Sequence, residues 1–191
     1  TVQLLDGDNV LGEVIAANDG SFSITSSVLA DDIYTLTVTA TDEAGNTSVP
    51  STGLPITIDT TAPAAPVITT TTALTNDNTP TIEGTAEAGS TVELFNGSDS
   101  LGTVLAADNG TFSITSSVLP DEIYTLTVRA TDLAGNTSDP STGLSITIDT
   151  TAPAAPSITT DIALTNINTP TITGTAEAGS TVELFNGSDS L

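Results

Sequence analysis

The chain has 191 residues, of which 24 are Asp or Glu and one is basic, so its formal net charge is −23. A protein without a basic patch cannot neutralise phosphates, which excludes DNA and RNA as partners, and an anionic membrane surface would repel it. Since the sequence contains no His and no Cys, it also excludes a Ser-His-Asp triad, a cysteine nucleophile, a thiolate zinc site and a disulfide. Carboxylate, hydroxyl and amide groups remain, and these favour hard cations such as calcium or a pair of acid/base carboxylates.

The composition predicts an all-β chain with small cores. Thr accounts for 39 of the 191 residues, aromatic residues make up only 3%, and the apolar residues are mostly Val, Ile, Leu and Ala. β-Branched side chains favour the pleated, half-buried surface of a sheet. No apolar run approaches the roughly 18 residues of a membrane span.

The sequence repeats with a period of 90 residues. Residues 1–60 match 91–150 at 43 of 60 positions, and 61–101 match 151–191 at 36 of 41. The segment TTAPAAP at 60–66 recurs at 150–156, and its two prolines and lack of large apolar groups are typical of a stiff linker. We therefore expect a complete repeat at 61–150. Residues 1–60 form the last two thirds of a repeat, and residues 151–191 form the first part of another.

Alternating apolar residues predict seven strands in the complete repeat. They lie at Val67 to Thr70, Ile82 to Ala86, Val92 to Phe95, Val104 to Ala106, Phe112 to Thr115, Tyr124 to Thr131, and the segment that carries Leu144, Ile146 and Ile148. The turn residues Asp108-Asn109-Gly110 predict that the fourth and fifth strands form a hairpin. Seven short strands with one apolar face each predict tandem Ig-like β-sandwiches joined by short proline-containing linkers. Tyr34 and Tyr124 stand where a tyrosine corner would, so we expect core packing and one hydroxyl hydrogen bond for each.

Four motifs carry a resemblance to a known family: TNDNTPTIEGTAEAGSTVELF, GTFSITSSVL, YTLTVRATDLAGNTS and SITIDTTAPAAP. They resemble the bacterial Ig-like repeats of giant type I-secreted, RTX-type adhesins and biofilm-associated proteins of Gram-negative bacteria. The resemblance implies an extracellular or cell-surface extender region. In such a region tandem domains, often with calcium at their junctions, hold an adhesive tip away from the cell.

Acidic loops are predicted to meet at the linkers. In an Ig-like sandwich, the loops with Glu87, Asp132 and Asn136 lie at the end where the chain enters, beside Asp59 of the linker. The preceding repeat adds Asp31 and Asp32. The equivalent set at the next linker is expected to be incomplete, because the counterpart of the 132–136 loop would follow residue 191. This second set comprises Asp121, Glu122, Asp149 and Glu177.

Carboxylates that converge repel one another. Calcium removes this repulsion because it binds roughly six to eight oxygen ligands at one site. The sequence thus predicts calcium at the junctions. The alternative is that these acids are only solubilising surface residues in turns, where Asp and Asn are common.

The leading functional hypothesis is a calcium-rigidified rod of spacer domains that serves cell adhesion or biofilm formation. A ligand-binding module for a polysaccharide or a host protein is the alternative. A glycosidase with two carboxylates is disfavoured, because the same acids recur in each repeat and a small sandwich rarely has the concave pocket that catalysis needs. Residues 1–60 lack the first two strands of a repeat and 151–191 supply them, so head-to-tail association between copies is a further expectation.

Overall fold

The computed structural model describes residues 1–161 and 163–191, which form sixteen β-strands and no α-helix. Within this part of the chain there is accordingly no helix long and apolar enough to cross a membrane. In chain order the strands are β1 (Val2–Asp6), β2 (Asn9–Val14), β3 (Asp32–Ala40), β4 (Leu54–Ile58), β5 (Val67–Ile68), β6 (Leu74–Thr75), β7 (Thr81–Thr85), β8 (Thr91–Asn96), β9 (Asp99–Leu105), β10 (Thr111–Thr115), β11 (Ile123–Thr131), β12 (Leu144–Ile148), β13 (Ser157–Ile158), β14 (Gly174–Thr175), β15 (Phe185–Asn186) and β16 (Asp189–Ser190).

Strands β5 to β12 form one complete sandwich. One sheet has the order β10-β7-β5 and the other the order β6-β12-β11-β8-β9. The apolar positions predicted from alternation face each other between the sheets, and the core members Ile82, Leu94, Leu126 and Val128 are fully buried. The prediction of an all-β sandwich is therefore confirmed.

The predicted hairpin around Asp108-Asn109-Gly110 is wrong. β9 pairs with β8 in one sheet, whereas β10 pairs with β7 in the other, so this turn carries the chain between sheets. The real hairpin lies one turn earlier, between β8 and β9. Gly97, whose φ is 60°, occupies the first position of that two-residue turn. Its counterpart Gly7 has a φ of 58°. Turn residues predict that the chain reverses, but they do not predict which neighbour the next strand will pair with.

The first strand of the complete repeat is divided between the two sheets, which gives eight strands instead of seven. The N–H groups of Thr69 and Thr70 both donate to the carbonyl oxygen of Glu83, at 2.8 and 3.3 Å. This irregularity ends the pairing of β5 with β7 and turns the chain toward the opposite sheet, as β-bulges commonly do. There β6 pairs in parallel with β12.

The partial repeats keep the pairings of the complete one. β1 to β4 form a sheet of order β2-β1-β3-β4, which reproduces β9-β8-β11-β12, and β13 pairs with β14 as β5 pairs with β7. Residues 21–25 are identical to β10 except for Ser21 in place of Thr111, yet they form no strand. Their partner in a complete repeat is β7, which has no counterpart in residues 1–60.

Candidate functional site: the two linkers

The upstream repeat holds the start of the first linker through Asp31. Antiparallel pairing of β3 with β4 sets Asp32 opposite Ile58, so the neighbouring Asp31 lies beside the chain as it leaves β4. Its Oδ1 accepts hydrogen bonds from the N–H and the hydroxyl of Thr60, at 3.0 and 2.8 Å, and its Oδ2 accepts one from the hydroxyl of Thr61 at 2.8 Å. These donors favour the ionised form and lower the pKa of Asp31, the Thr61 hydroxyl having the largest effect.

The same arrangement recurs at the second linker. Asp121 accepts hydrogen bonds from the N–H and the hydroxyl of Thr150, at 3.0 and 2.8 Å, and from the hydroxyl of Thr151 at 2.9 Å. The Thr150 hydroxyl contributes most to lowering the pKa of Asp121. We name this contact of one carboxylate with two consecutive threonines the threonine clamp. Each clamp joins an aspartate of the repeat that the linker leaves to the first two residues of the linker itself.

The downstream repeat contacts the first linker through Asn136. This residue lies in the loop between β11 and β12, and its Nδ2 donates to the backbone carbonyl oxygen of Asp59 at 3.0 Å. Asp132 orients the side chain, because its Oδ1 accepts from the Asn136 N–H at 2.8 Å and its Oδ2 from Nδ2 at 2.9 Å. The Asn136 amide is the main reason that the pKa of Asp132 is lowered. Gly135, with a φ of 96°, makes the tight loop possible.

The prolines of the two linkers differ in burial. Pro63 and Pro66 are buried, whereas Pro153 and Pro156 are exposed. The first linker is therefore enclosed by protein at the point where its counterpart in the second linker faces solvent.

The other predicted ligand residues make local contacts. The Oδ1 atoms of Asp59 and Asp149 accept from Thr61 and Thr151 N–H, at 3.0 and 3.1 Å, and Asp32 caps the N–H of Ile33. The remaining three, Glu87, Glu122 and Glu177, are exposed and use only their backbone carbonyls, which accept from Ser90, Ile148 and Ser180.

In residues 1–161 and 163–191 no group of three acidic side chains is placed to hold a metal ion. The assignment of Asp59, Glu87 and Asp132 to a calcium site stays a prediction from the sequence. The threonine donors, Thr60 and Thr61, were missed by that reasoning. Their signal was present, since Asp-Thr-Thr recurs unchanged at both linkers.

The tyrosine corners support the clamps. The Tyr124 hydroxyl donates to the carbonyl oxygen of Pro120 at 3.0 Å, and that of Tyr34 donates to Ala30 at the same distance. Both acceptors immediately precede the clamp aspartates, so each hydrogen bond fixes the backbone of the loop that carries the clamp. The predicted hydroxyl hydrogen bond is confirmed. Burial raises the pKa of Tyr124, with smaller contributions from the charges of Glu122 and Asp121.

Sequence comparison assigns the fold to a family. Residues 1–60 and 68–150 match the model of the bacterial Ig-like domain. The chain belongs to this family. As in other Ig-like modules, the complete repeat consists of two packed sheets with loops gathered at the two ends, and the linker contacts occur at those ends.

The curated relatives of this bacterial Ig-like chain include parts of two much longer proteins. It is 35% identical over 162 residues to exoglucanase B of Cellulomonas fimi, covering 75% of this chain and 14% of that protein. It is 33% identical over 137 residues to chitinase A1 of Niallia circulans, covering 66% of this chain and 19% of that protein. The chain therefore spans less than a fifth of either relative.

Solved structures with similar folds include a biofilm-associated protein BSP domain and the fibronectin(III)-like modules of Clostridium thermocellum CbhA. The first is 24% identical with a TM-score of 0.38, covering 79% of this chain and 25% of the other. The second is 18% identical with a TM-score of 0.48, covering 77% of this chain and 76% of the other.

Proposed function

We propose that this chain is a non-catalytic spacer, an extender segment whose Ig-like domains are joined by stiff linkers. The observation that carries the proposal is the first linker, which is held from both sides. Asp31 of the upstream repeat binds Thr60 and Thr61, and Asn136 of the downstream repeat binds the carbonyl of Asp59.

Each of these contacts restricts a different motion. The threonine clamp fixes the direction in which the chain leaves β4, and the prolines fix φ in the next residues. The Asn136 contact then ties the adjoining end of the following domain to the same segment. A pivot between neighbouring domains must break at least one of these contacts, so a series of such repeats forms an extended rod.

We place the rod in a secreted or cell-surface protein, and more specifically in an adhesin that projects an adhesive tip for cell adhesion or biofilm formation. The motif resemblance described above supports the adhesin, and the charge of −23 suits a long exposed array that must stay soluble. The relatives named as an exoglucanase and a chitinase suggest a second setting, in which the same spacer separates the modules of a large enzyme. The mechanical role of the segment is the same in both.

Calcium at the junction is part of the proposal. The backbone oxygen of Asp59 and Oδ2 of Asp132 both accept from the same Asn136 nitrogen, at 3.0 and 2.9 Å. Two oxygen atoms from two domains are thus gathered at one point, and oxygen is the ligand atom that calcium prefers. A calcium ion here has to replace the asparagine donor, and the exposed carboxylates of Asp59 and Glu87 would have to move toward it to complete its shell.

The test is ¹⁵N relaxation of the full 191-residue chain, with calcium and with a chelator. A spacer predicts order parameters near the rigid value of about 0.85 for residues 60–66 in at least one of the two conditions. If calcium contributes, the chelator lowers them; if they stay high, hydrogen bonds and prolines suffice and calcium drops out of the proposal. Flexible values for residues 60–66 in both conditions would remove the spacer itself.

A ligand-binding module is the second candidate, because the outer face of β8 and β11 bears a shallow groove of about 820 Å³. Phe95, Ile123 and Arg129 line it, and Arg129 is the only basic residue of the chain. An aromatic ring beside a cation is a combination that binds sugars or acidic ligands.

Depletion assays on insoluble cellulose and chitin test this candidate. The informative variant is Arg129→Thr, because the first repeat has Thr39 at the equivalent position. Binding that falls in the variant favours a ligand-binding module, whereas an absence of depletion for the unaltered chain argues against a role on these polysaccharides.

A further inference from the structure

Two asparagines of the complete repeat stand directly before a glycine. Asn96-Gly97 lies in the turn between β8 and β9, and Asn109-Gly110 lies in the turn between β9 and β10. An asparagine loses its side-chain amide when the backbone nitrogen of the next residue attacks its Cγ atom. Since glycine has no Cβ, it permits the closest approach of that nitrogen. By sequence alone, the two sites are therefore equally reactive.

This reaction needs no enzyme and consumes only water. The backbone nitrogen of Gly97 forms a bond to Cγ of Asn96 as the bond from Cγ to Nδ2 breaks. Nδ2 leaves as ammonia with the proton of the Gly97 N–H, and a cyclic imide remains. Water then opens the imide. Cleavage of the new bond gives aspartate, whereas cleavage of the original peptide bond gives isoaspartate, in which the main chain runs through Cγ.

The turn that contains Asn109 holds both reacting groups in place. Oδ1 of Asn109 accepts hydrogen bonds from the N–H and the hydroxyl of Thr111, at 3.1 and 2.8 Å. The attacking nitrogen is also engaged, because the Gly110 N–H donates to the carbonyl oxygen of Ala107 at 2.7 Å. The Asn109 side chain cannot turn toward this nitrogen until these hydrogen bonds break.

The same turn is fixed to a neighbouring strand. The carbonyl oxygen of Gly110 accepts from the N–H of Ala86 at 2.8 Å, and the N–H of Ala107 donates to the carbonyl oxygen of Thr111 at 2.8 Å. A Cβ on Gly110 would lie 2.8 Å from the Ala86 carbonyl oxygen, so the backbone is closely packed there. Movement of the turn is accordingly restricted together with its side chain.

The turn that contains Asn96 restrains neither reacting group. In the part of the chain that the structure describes, the side chain of Asn96 and the N–H of Gly97 form no hydrogen bond. Pairing of Asn96 with Asp99 fixes only the main chain on the two sides of the turn. A Cβ on Gly97 would meet no atom within 4 Å, which leaves space for the imide to form.

We propose that Asn96 is a site of spontaneous deamidation and that hydrogen bonds protect Asn109 from the same reaction. Exposure alone predicts the reverse order, because Asn109 is exposed whereas Asn96 is half-buried. The hydrogen bonds that must break first are expected to slow the reaction of Asn109 by about 10-fold or more relative to Asn96.

The reactive turn occurs a second time in the chain. Asn186 pairs with Asp189 as Asn96 pairs with Asp99, and the φ of Gly187 is 65°, close to the 60° of Gly97. Asn186 is therefore expected to react as Asn96 does, which provides a replicate within the same molecule.

The first repeat shows that the aspartate product fits this turn. Asp6 is the equivalent of Asn96 and pairs with Asn9 in the same register. Isoaspartate instead lengthens the main chain by a carbon atom, so it is the product that disturbs the hairpin. Either product places a carboxylate in the groove that Phe95 and Arg129 line.

The test is prolonged incubation of the full chain at mildly alkaline pH, followed by peptide mapping with mass spectrometry. Each site is read from the mass gained when the amide becomes a carboxyl group. A parallel sample in denaturant gives the reactivity of each site without the fold. The ratio of the Asn96 rate to the Asn109 rate is expected to be about 1 in denaturant and about 10 or more in the folded chain.

The outcomes are distinct. Faster reaction of Asn96 in the folded chain only supports the proposal. A similar ratio in both conditions would assign the difference to the local sequence and overturn the role of the fold. Earlier reaction of Asn109 in the folded chain overturns the proposal too, as does an Asn96 that stays intact in the folded chain while it reacts in denaturant.

The variant Thr111→Val tests the protection itself. It removes the hydroxyl donor to Oδ1 of Asn109 and keeps a β-branched residue in β10, so it should speed the reaction of Asn109 and leave that of Asn96 unchanged. Thr115→Val is the matched control, since the Thr115 hydroxyl bonds Thr81 on the same strand. No acceleration at Asn109, or the same acceleration in both variants, contradicts the proposal.

Discussion

The two linkers have the same sequence, TTAPAAP, but different surroundings. Residues 60–66 are contacted by both the upstream and the downstream repeat, whereas residues 150–156 are held at their start by the threonine clamp and by the hydrogen bond from Thr151 to Asp149. Pro63 is buried and Pro153 is exposed. The difference arises because residues 151–191 contain no counterpart of the 132–136 loop.

This comparison separates the junction into two parts. The clamp depends on the upstream repeat alone, since its distances agree within 0.1 Å at the two linkers, for example 2.8 and 2.9 Å for the second threonine. Enclosure of the prolines depends on the downstream repeat. Stiffness is therefore a property of a pair of repeats and not of the linker sequence.

The largest difference between the linkers is expected from removal of the clamps. Asp121→Ala removes the threonine clamp and leaves the start of the second linker with the local hydrogen bond from Thr151 to Asp149, so order parameters of residues 150–156 should fall below about 0.6. Asp31→Ala is the matched variant, and residues 60–66 should lose much less order because the Asn136 contact remains. Equal loss in both variants, measured by ¹⁵N relaxation, would show that the downstream repeat adds no stiffness.

A smaller effect is expected from removal of the downstream contact. Asn136→Ala deletes the hydrogen bond to Asp59, and a neutral hydrogen bond of this kind stabilises by about 1 kcal/mol. The matched control is Asn46→Ala. Asn46 makes the same two bonds to Asp42 in its own loop, at 2.8 Å each. Hydrogen exchange of residues 60–66 should quicken in the first variant only; a similar change in the control would indicate an indirect effect.

Much of the fold could be predicted from the sequence, because the alternation of apolar residues in β11 and β12 and the 90-residue period are strong local signals. The crossing between sheets could not, since Asp108-Asn109-Gly110 favours a reversal in either a hairpin or a crossover. The division of the first strand depends on the N–H groups of Thr69 and Thr70, which share the carbonyl oxygen of Glu83. No side-chain pattern in the sequence predicts this backbone geometry.

The candidate site was predicted in part. The sequence places Asp31, Asp132 and Asn136 near the linkers because loops of a sandwich gather at its ends. It could not show that donors rather than further carboxylates surround these acids. A carboxylate beside Thr60 and Thr61 is satisfied by hydroxyl and N–H groups, and this alternative to a cation depends on distances of about 3 Å that charge counting cannot resolve.

Acidification should loosen both linkers, and the second more than the first. The folded chain holds the pKa of Asp31 and of Asp121 below the ordinary value of 3.8, so each clamp is present above that value and is lost as the pH falls through the lowered pKa. The Asp59 carbonyl that Asn136 contacts does not titrate, so the first linker keeps this acceptor, although protonation of Asp132, whose pKa the Asn136 side chain also lowers, weakens the bonds that orient Asn136.

Relaxation measurements between pH 6 and pH 2, as a rough working range around the usual carboxyl pKa, check this expectation. Asp121→Asn is the control, because its side chain carries no charge at any pH in that range. Its second linker should show the same mobility at both ends of the titration. A pH response that persists in this variant would assign the loosening to other groups.

The smallest effect is expected from Pro153, an exposed proline of the second linker. Pro153 lies in an exposed segment, so Pro153→Ala changes mainly the conformational entropy of the unfolded chain. It should lower the free energy of unfolding by about 0.4–1 kcal/mol. Pro63→Ala adds the loss of buried ring contacts to that entropy, so its cost should be larger. Thermal unfolding of the two variants at equal concentration measures the difference. Equal shifts would mean that Pro63 is buried without stabilising the junction, and the stiffness of the first linker would then rest on Asp31 and Asn136 alone.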